Sequence, residues 1–434
     1  MRWPWSESSG VVRPAGSLFF PLDQKLNVGT EGYSPQVLQK AVRQAAKVSF
    51  QEASDDLQEL ATITISASHL QRLSERIGRE WQVLRDNDVK AFQEKRLPCA
   101  YAQQAPAVAA VMLDGGRVQT RAEDNGPGVY EPRWHETKVA CCLTLASKEY
   151  AQDPQPNPPA KFLDPPQVTR LAAEMKSGPR VARSPKAPAG SEQRRKKRRR
   201  GRKRIRSKKL VRTVVATTAN SEMFGWQMAA EVQRRGLDRA KRKACVCDGQ
   251  KYNWTLFELH LLAWGFIGIL DFLHLLAYLY GAAFAAQPND AAAAWQQYEQ
   301  WLRWAWAGKV VLLLGSLRAA AKKVGAPSPK TKEDDPRRIL ADALGYVENN
   351  RTRMDYPRYR CLGLPISSAP VESTIKQVNR RIKGSEKFWL EGGAEAVLQV
   401  RAAYLSEDGR AERYWSRPRP YQRAAGGGRL RPVA

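Results

Sequence analysis

The most constraining feature of the sequence is an alternation of short apolar runs with helical segments between residues 210 and 286. The run LVRTVVATT has the β-branched composition of a strand, and SEMFGWQMAAEVQRRG after it has helical periodicity. KACVCDG and GFIGILD then add two further strands, and a long apolar helix follows the second. Strands that alternate with helices in this way predict an α/β core with buried, parallel strands.

Two of the apolar runs end at an aspartate that a glycine follows. AVAAVMLDGGR places Asp114 before two glycines, and KACVCDG places Asp248 before Gly249. Asp-Gly is a common turn dipeptide, and the Asp-Gly-Gly sequence at Asp114 is also a hairpin signal. At the end of a buried strand, however, a carboxylate can meet solvent and substrate, so a metal site is the alternative interpretation. For Asp248, we expect Gly249 to allow a sharp turn without a side chain that would crowd a bound substrate.

A third acid, Glu372, lies early in the predicted helix SAPVESTIKQVNRRIKG, where a solvated carboxylate would also suit the helix dipole. Three carboxylates on adjacent elements of an α/β core can hold two divalent cations for an in-line phosphoryl transfer. Oxygen ligands favour Mg²⁺ or Mn²⁺ over zinc. Glu386 and Glu391 are the rival acids in this region. The motifs GxxxxGK[ST], HExxH and GxSxG do not occur in the sequence.

The charge of the chain points to a polyanionic partner. Lys and Arg number 71 against 43 Asp and Glu, a formal net charge of +28, and nucleic acid is the first candidate. In residues 194–209, 13 of 16 side chains are basic, so this tract cannot fold alone and is either a phosphate contact or a solvated linker. The candidate contacts are Arg194, Arg195, Lys196, Lys197, Arg198, Arg199, Arg200, Arg202, Lys203 and Arg204.

Three helices are predicted near the N-terminus, within residues 34–105. Ser34 and Ser49 are predicted N-caps, the second with Glu52 in a capping box, and SASHLQRLSERIGREWQVL forms the last helix. The layout is that of a helix-turn-helix DNA reader, although a plain helical bundle has the same spacing. The candidate DNA contacts on the last helix are Arg72, Arg76 and Arg79.

Several further features leave two interpretations open. Asp271 and His274 are three residues apart, so they either brace the site or form a hydrogen-bonded core pair. Trp301, Trp304 and Trp306 fill an apolar helix face, which we favour, or stack on an extruded base. Glu136 and Lys138 suit an ion pair across strands.

Cysteine and hydropathy patterns bear on the compartment. The six cysteines form no CxxC pair, and four lie in apolar runs, which fits buried, reduced thiols. The first residues have no signal-peptide pattern. The apolar run 259–286 carries Asp271 near its middle, which argues against a membrane span, and the reduced thiols fit a cytosolic protein.

Five segments occur in an order that resembles a known family: VMLDGGRVQTR, WHETKVACC, VCDGQKYNW, ILDFLHLLAYL and GLPISSAPVESTIKQVNRRIKGSEKFW. They resemble the DDE transposases of bacterial insertion sequences, most of all the ISKra group, distant relatives of the Mutator-like transposases. The resemblance covers most of residues 24–405. Unlike many transposases, the chain has no cysteine metal module near its N-terminus, so helices and basic residues must recognise the transposon ends.

The resemblance implies an RNase H-like catalytic core and Mg²⁺-dependent cleavage and joining at transposon ends. Its catalytic, metal-binding acids fall on Asp114, Asp248 and Glu372, and its D-x-x-H element falls on Asp271 and His274. It also implies double-stranded DNA as the partner, bound by a homodimer or higher oligomer with two Mg²⁺ or Mn²⁺ ions, in a bacterial cytoplasmic protein associated with the nucleoid. The alternative is a transposase-derived nucleic-acid-binding protein without activity, and a membrane-surface protein built on 259–286 is a further competitor.

The expected architecture is an α/β RNase H-like core with an all-α insertion domain and an N-terminal helix-turn-helix-like domain. The predicted boundaries are 1–33 irregular, 34–105 helical DNA-binding, 106–286 first part of the core with a disordered basic insert at 152–209, 287–354 helical insertion, 355–405 last part of the core, and 406–434 flexible tail.

Overall fold

A five-stranded mixed sheet forms the centre of the structure, which is a computed structural model describing residues 11–12, 18–19, 33–99, 105–122, 133–175, 207–384 and 387–417. The strands are β3 (Val108–Thr120), β4 (Arg133–Ala146), β5 (Lys208–Thr217), β6 (Arg242–Cys247) and β7 (Ile267–Leu270), in the spatial order β5-β4-β3-β6-β7. β3, β4 and β5 are antiparallel neighbours, whereas β6 and β7 extend the sheet in parallel with β3. Two short strands, β1 (Val11–Val12) and β2 (Leu18–Phe19), pair separately.

Fourteen α-helices surround the sheet in the described residues. They are α1 (Pro35–Ala45), α2 (Phe50–Ala61), α3 (Ala67–Gln93), α4 (Pro165–Met175), α5 (Ser221–Arg234), α6 (Lys251–His260), α7 (Phe272–Ala286), α8 (Ala291–Trp306), α9 (Val310–Val324), α10 (Pro336–Asn350), α11 (Tyr356–Cys361), α12 (Ala369–Ile382), α13 (Glu391–Leu405) and α14 (Arg410–Ser416). The fold is therefore α/β, as the alternation of runs predicted, and β3, β6 and β7 are its parallel neighbours. The antiparallel pairing of β4 and β5 makes the sheet mixed, which the alternation did not predict.

The Asp-Gly-Gly sequence after Leu113 is not a hairpin, which corrects that expectation. β3 continues through it to Thr120, and Gly115 and Gly116 pair with Lys138 and Thr137 of β4. Gly116 is required by close packing, because a Cβ atom there would lie 2.8 Å from Thr137 Oγ1 and 3.2 Å from Asn379 Oδ1 on α12. The glycines thus admit a helix onto the strand instead of turning the chain.

The apolar run 259–286 divides into separate elements. It comprises the end of α6, a 3₁₀ turn at Leu262–Trp264, β7 and α7. Within the part of the chain that the structure describes, no helix has both the length and the apolar character needed to cross a membrane.

The N-terminal helices have the expected caps but share a core with the C-terminal helices. Ser34 and Ser49 accept hydrogen bonds from Val37 N and Glu52 N, as predicted. α3 crosses α13 at Gly78, where a Cβ atom would lie 2.2 Å from the backbone oxygen of Ala396. Val400, Tyr414 and Trp415 complete the apolar core of α1–α3.

Two segments predicted to lack structure are partly folded. Residues 152–175, the first part of the predicted disordered insert, contain α4, and Thr169 Oγ1 lies 2.9 Å from Tyr280 Oη of α7. Lys208 and Lys209 begin β5, whereas the candidate contacts Arg194–Arg204 lie outside the described residues. The predicted flexible tail from residue 406 contains α14.

The helices α8, α9 and α10, here called the inserted helices, occupy most of the segment 287–354. Trp301 is fully buried and donates from Nε1 to Ser316 Oγ at 2.8 Å, and Trp306 donates to Gln155 O at 2.8 Å. Trp304 is half-buried against the same core. The core interpretation of these tryptophans is therefore confirmed for Trp301 and Trp306.

Candidate metal centre

The register between β3 and β6 places Asp114 and Asp248 side by side on neighbouring segments of the sheet. Leu113 and Cys247 form the last pair between β3 and β6, and each aspartate is the next residue. Asp248 follows the end of its strand, as expected. Asp114 lies in the middle of β3, which corrects the expectation of a strand end, because β3 continues alongside β4 where β6 has stopped.

Asp248 is buried, with 7% of its surface exposed, and is held at two points. Its Oδ1 accepts hydrogen bonds from the backbone N of Gln250 at 3.2 Å and from Nδ2 of Asn253 at 2.9 Å. Its backbone oxygen accepts a hydrogen bond from Tyr346 Oη at 2.7 Å. One carboxylate oxygen and the main chain are thus fixed, and Oδ2 is left for a ligand.

Gly249 makes the sharp turn expected of it, with φ of +90°. A larger residue at this position would collide with other side chains of the protein and not with a substrate. Its Cβ atom would lie 2.7 Å from Cε2 of Tyr346 and 3.0 Å from Cδ1 of Leu270. Gly249 therefore makes room for the Tyr346 ring behind Asp248.

Helix α12 carries Glu372 in its first turn, beside Ser368 at the N-cap position. Ser368 Oγ lies 3.1 Å from Glu372 Oε1 and 2.5 Å from Asp271 Oδ2. Because a hydroxyl carries a single proton, it donates to one of these carboxylates at a time. Ser368 thus links the acid of α12 to the acid that precedes α7.

Asp271 and His274 form a buried hydrogen-bonded pair. Asp271 caps α7 by accepting from Leu273 N at 2.9 Å, and its Oδ2 lies 2.8 Å from His274 Nδ1. Ligand atoms of Asp271, His274 and Glu372 lie within 4.8 Å of one another. A carboxylate that orients an imidazole through Nδ1 leaves Nε2 for a metal or a proton, so the pair belongs to the site and not to the apolar core alone.

The electrostatics of the centre favour bound positive charge. Burial, with smaller contributions from the charges of Asp248 and Glu372, raises the pKa of Asp114 to about 7, and a 2.7 Å hydrogen bond from Gly115 N opposes this rise. Burial and the charge of Asp271 also raise the pKa of Glu372. Burial alone would lower the pKa of His274, but the hydrogen bond to Asp271 and the surrounding carboxylates raise it to about 9.

The donor set fits a divalent cation that prefers oxygen. The group whose ligand atoms lie within 4.8 Å of one another consists of Asp271, His274 and Glu372. Asp114 and Asp248 lie outside that group, although the charges of Asp248 and Glu372 act on Asp114, and a bound cation would relieve this repulsion. The rival Glu391 lies 3.1 Å from His135 Nε2 at the start of α13, whereas Glu386 lies outside the described residues. Glu136 pairs with Lys138 at 3.1 Å on the same strand, so the ion pair is present but does not cross strands.

Three residues of the centre were not predicted from the sequence. Ser368 lies four residues before Glu372, and this spacing on a helix could have indicated it. Asn253 lies five residues after Asp248 and carried a similar local signal. Tyr346 is 98 residues from Asp248 and lies in a helix predicted only as part of an insertion, so no local pattern indicated it.

The candidate DNA contacts on α3 are partly accessible. Arg72 and Arg79 are exposed, and Arg79 Nη2 lies 3.8 Å from Glu75 Oε2, whereas Arg76 is half-buried. The exposed face lies opposite the apolar face that packs on α13. The exposed face of α3 thus carries two of the three candidate arginines.

Comparison with models of protein families and with curated proteins finds no match to this chain.

Proposed function

We propose that this protein is a DNA transposase in which Asp114, Asp248 and Glu372 carry metal-dependent cleavage of transposon ends and strand transfer into target DNA. The main support is the register of β3 and β6, which places Asp114 and Asp248 side by side, with Glu372 of α12 near enough for its charge to act on Asp114. The spatial order of the strands is consistent with an RNase H-like core. The ordered sequence motifs supply the reaction class.

Asp114, Asp248 and Glu372 are the residues that would hold two Mg²⁺ or Mn²⁺ ions. When bound, such a pair of cations activates the attacking oxygen and stabilises the leaving oxygen of a phosphoryl transfer. Asn253 and Gln250 fix one oxygen of Asp248, and Ser368 orients Glu372.

His274 has a different role in this proposal. Its raised pKa keeps the imidazole protonated at neutral pH in the apo protein, so it partly neutralises the cluster of acids. Asp271 holds the ring through Nδ1 and thereby directs Nε2 away from the Asp271 carboxylate. The protonated ring thus offsets part of the carboxylate charge until cations bind and take over that role.

We further propose that double-stranded DNA binds through the exposed arginines of α3 and through the basic tract 194–209. The density of charge in the tract suits contacts to phosphates, which carry no sequence information. A reaction that joins two transposon ends requires two active sites, so a homodimer or a larger assembly on DNA is part of the proposal.

Asp248→Asn tests the chemistry, because it keeps the shape of the side chain but removes a charged ligand. We expect cleavage and strand joining of end-bearing DNA to be lost in Mg²⁺ and in Mn²⁺, while DNA binding measured by gel shift is retained. Asp55→Asn, an exposed change on α2, is the matched control and should cleave like the wild type.

Cleavage by Asp248→Asn at the wild-type rate would contradict the proposed mechanism. Wild-type protein that binds transposon ends but cleaves them in neither metal would instead support the alternative, a DNA-binding descendant that has lost its activity.

A further inference from the structure

Two tyrosine hydroxyls bind the backbone where the parallel strands end. Tyr346 Oη of α10 donates to the backbone oxygen of Asp248 at 2.7 Å, and Tyr356 Oη of α11 donates to that of Leu270 at 3.0 Å. Asp271 N donates to Cys247 O at 2.8 Å between these two points. The end of β6 is therefore fixed at Asp248 itself, and the end of β7 is fixed at Leu270, directly before Asp271.

These carbonyl groups need such partners because the strand ladder stops there. The last pair between β6 and β7 joins Cys247 to Leu270, and beyond it both chains leave the sheet. A buried backbone oxygen without a partner loses the hydrogen bond that water would supply, so its position is poorly determined unless a side chain binds it. Tyr346 supplies that bond at Asp248.

Tyr346 is itself held from behind by α7. Its ring stacks on Tyr278, with the ring centroids 3.9 Å apart and an angle of 14° between the planes. Tyr278 lies four residues after His274, on the same side of α7. The turn at Gly249 leaves the space that the Tyr346 ring occupies. Stacking and close packing together restrict the hydroxyl to one position, from which it reaches Asp248.

We propose that Tyr346 is a positioning residue for Asp248, and that one role of the inserted helices is to deliver its hydroxyl to the end of β6. The inference rests on the proposed function, because it presumes that Asp248 holds a cation. It goes beyond that function in assigning to the inserted helices a part in forming the metal centre, at a residue that does not touch the metal or the substrate.

Tyr346→Phe in the full-length protein removes only the hydroxyl. Tyr298→Phe is the matched control, because Tyr298 of α8 also donates a buried hydroxyl to a backbone oxygen, that of Phe162 at 3.0 Å, which is not among the acids. Two measurements compare the variants: hydrogen exchange of the peptide 244–254 without metal, and Mn²⁺ affinity by electron paramagnetic resonance.

For Tyr346→Phe we expect faster exchange in 244–254 and an affinity for Mn²⁺ lower by about 10- to 100-fold, the usual range for outer-sphere partners of a metal site. The Mg²⁺ concentration for half-maximal cleavage should rise by a similar factor, with DNA binding unchanged. Tyr298→Phe should show wild-type values in all of these measurements.

Three results would count against the inference in different ways. Wild-type exchange and Mn²⁺ affinity in Tyr346→Phe would overturn it and leave the proposed function intact. Equal losses in Tyr346→Phe and Tyr298→Phe would also overturn it, because general loosening would then explain both. If the wild-type protein binds no Mn²⁺, there is no metal centre for Tyr346 to support, and the proposed function fails together with the inference.

Discussion

Asp114 is a half-buried acid whose surroundings favour the protonated form. Burial, then Asp248 and Glu372, raise its pKa to about 7 in the folded protein, against 3.8 for an ordinary aspartate. The folded state thus binds this proton more tightly than the unfolded state does. The contribution of Asp114 to the free energy of unfolding therefore falls as the pH rises from about 4 to 7.

Asp114→Asn should accordingly stabilise the metal-free protein at pH 8 while it abolishes cleavage. At pH 8 the folded wild type must desolvate the charged carboxylate of Asp114, whereas the amide of the variant carries no charge. The resulting gain in the free energy of unfolding is about 1–3 kcal/mol after allowance for partial solvent screening. Urea unfolding in EDTA at pH 5 and pH 8 would measure this: the gain should be larger at pH 8.

The exposed change Asp55→Asn serves again as the control and should show no such pH dependence. Added Mg²⁺ should stabilise the wild type more than Asp114→Asn. An unchanged or lower stability of Asp114→Asn at pH 8 would mean that the acids do not repel one another as described.

Single residues could be predicted from the sequence only where a local pattern marked them. Asp248 and Gly249 end an apolar run, and their positions were predicted well. For Asp114 the same pattern was misleading, because the end of an apolar run marks where burial decreases and not where a strand ends. Tyr346 had no local signal at all, since its role depends on a contact across the fold.

At the scale of elements, the link between α5 and α14 depends on a buried carboxylate. Glu231 of α5 is 5% exposed and pairs with Arg234 and with Arg410, whose Nη2 lies 2.5 Å from Glu231 Oε1. Burial would raise the pKa of Glu231, but the two arginines outweigh it and lower the pKa to about 2. Its stabilising contribution is complete above about pH 4.5 and is lost as the pH falls towards 2.

Glu231→Gln should destabilise the protein at pH 7 by about 1–3 kcal/mol, because it removes one counter-charge from each of two partly buried arginines, whose other acidic partners are Asp88 and Asp408. The difference from the wild type should shrink at pH 3, where Glu231 of the unfolded wild type is protonated. Urea midpoints at the two pH values test this. Glu174→Gln, whose partners Arg170 and Lys376 are exposed, should change stability far less at either pH.

Helices can be predicted from the sequence where they begin at a clear capping residue and have a continuous apolar face. Ser34 and Ser49 mark the starts of α1 and α2, whereas the sequences of α4 and α14 predict unstructured chain. α4 buries only Val168 completely, and its remaining support comes from contacts such as Thr169 with Tyr280. Helices that depend on their neighbours to this degree have little pattern of their own.

For the molecule as a whole, the basic tract should set the salt dependence of DNA binding. A deletion of 194–206 removes eleven basic residues and spares β5, whose Lys208 begins the strand. Each lost phosphate contact should reduce the slope of log affinity against log salt by about 0.9. Fluorescence anisotropy over a salt series would measure the slope.

Discrimination between transposon ends and random DNA should survive this deletion, since phosphate contacts do not read sequence. A second variant, in which Gly and Ser replace the same residues at unchanged length, separates the effect of charge from that of length. If both variants keep the wild-type slope, the tract is a linker and does not contact DNA.

Because α3 packs on α13 at Gly78 and Ala396, the N-terminal helices cannot complete their apolar core until the C-terminal helices have been synthesised. The apolar face of α1–α3 emerges first from the ribosome, but its cover includes Val400, Tyr414 and Trp415. At a translation rate of roughly 5–20 residues per second, the synthesis of α13 and α14 follows that of α1–α3 after about fifteen seconds to one minute. During that time the N-terminal helices expose their apolar face, and a chain that ends before α13 never covers it.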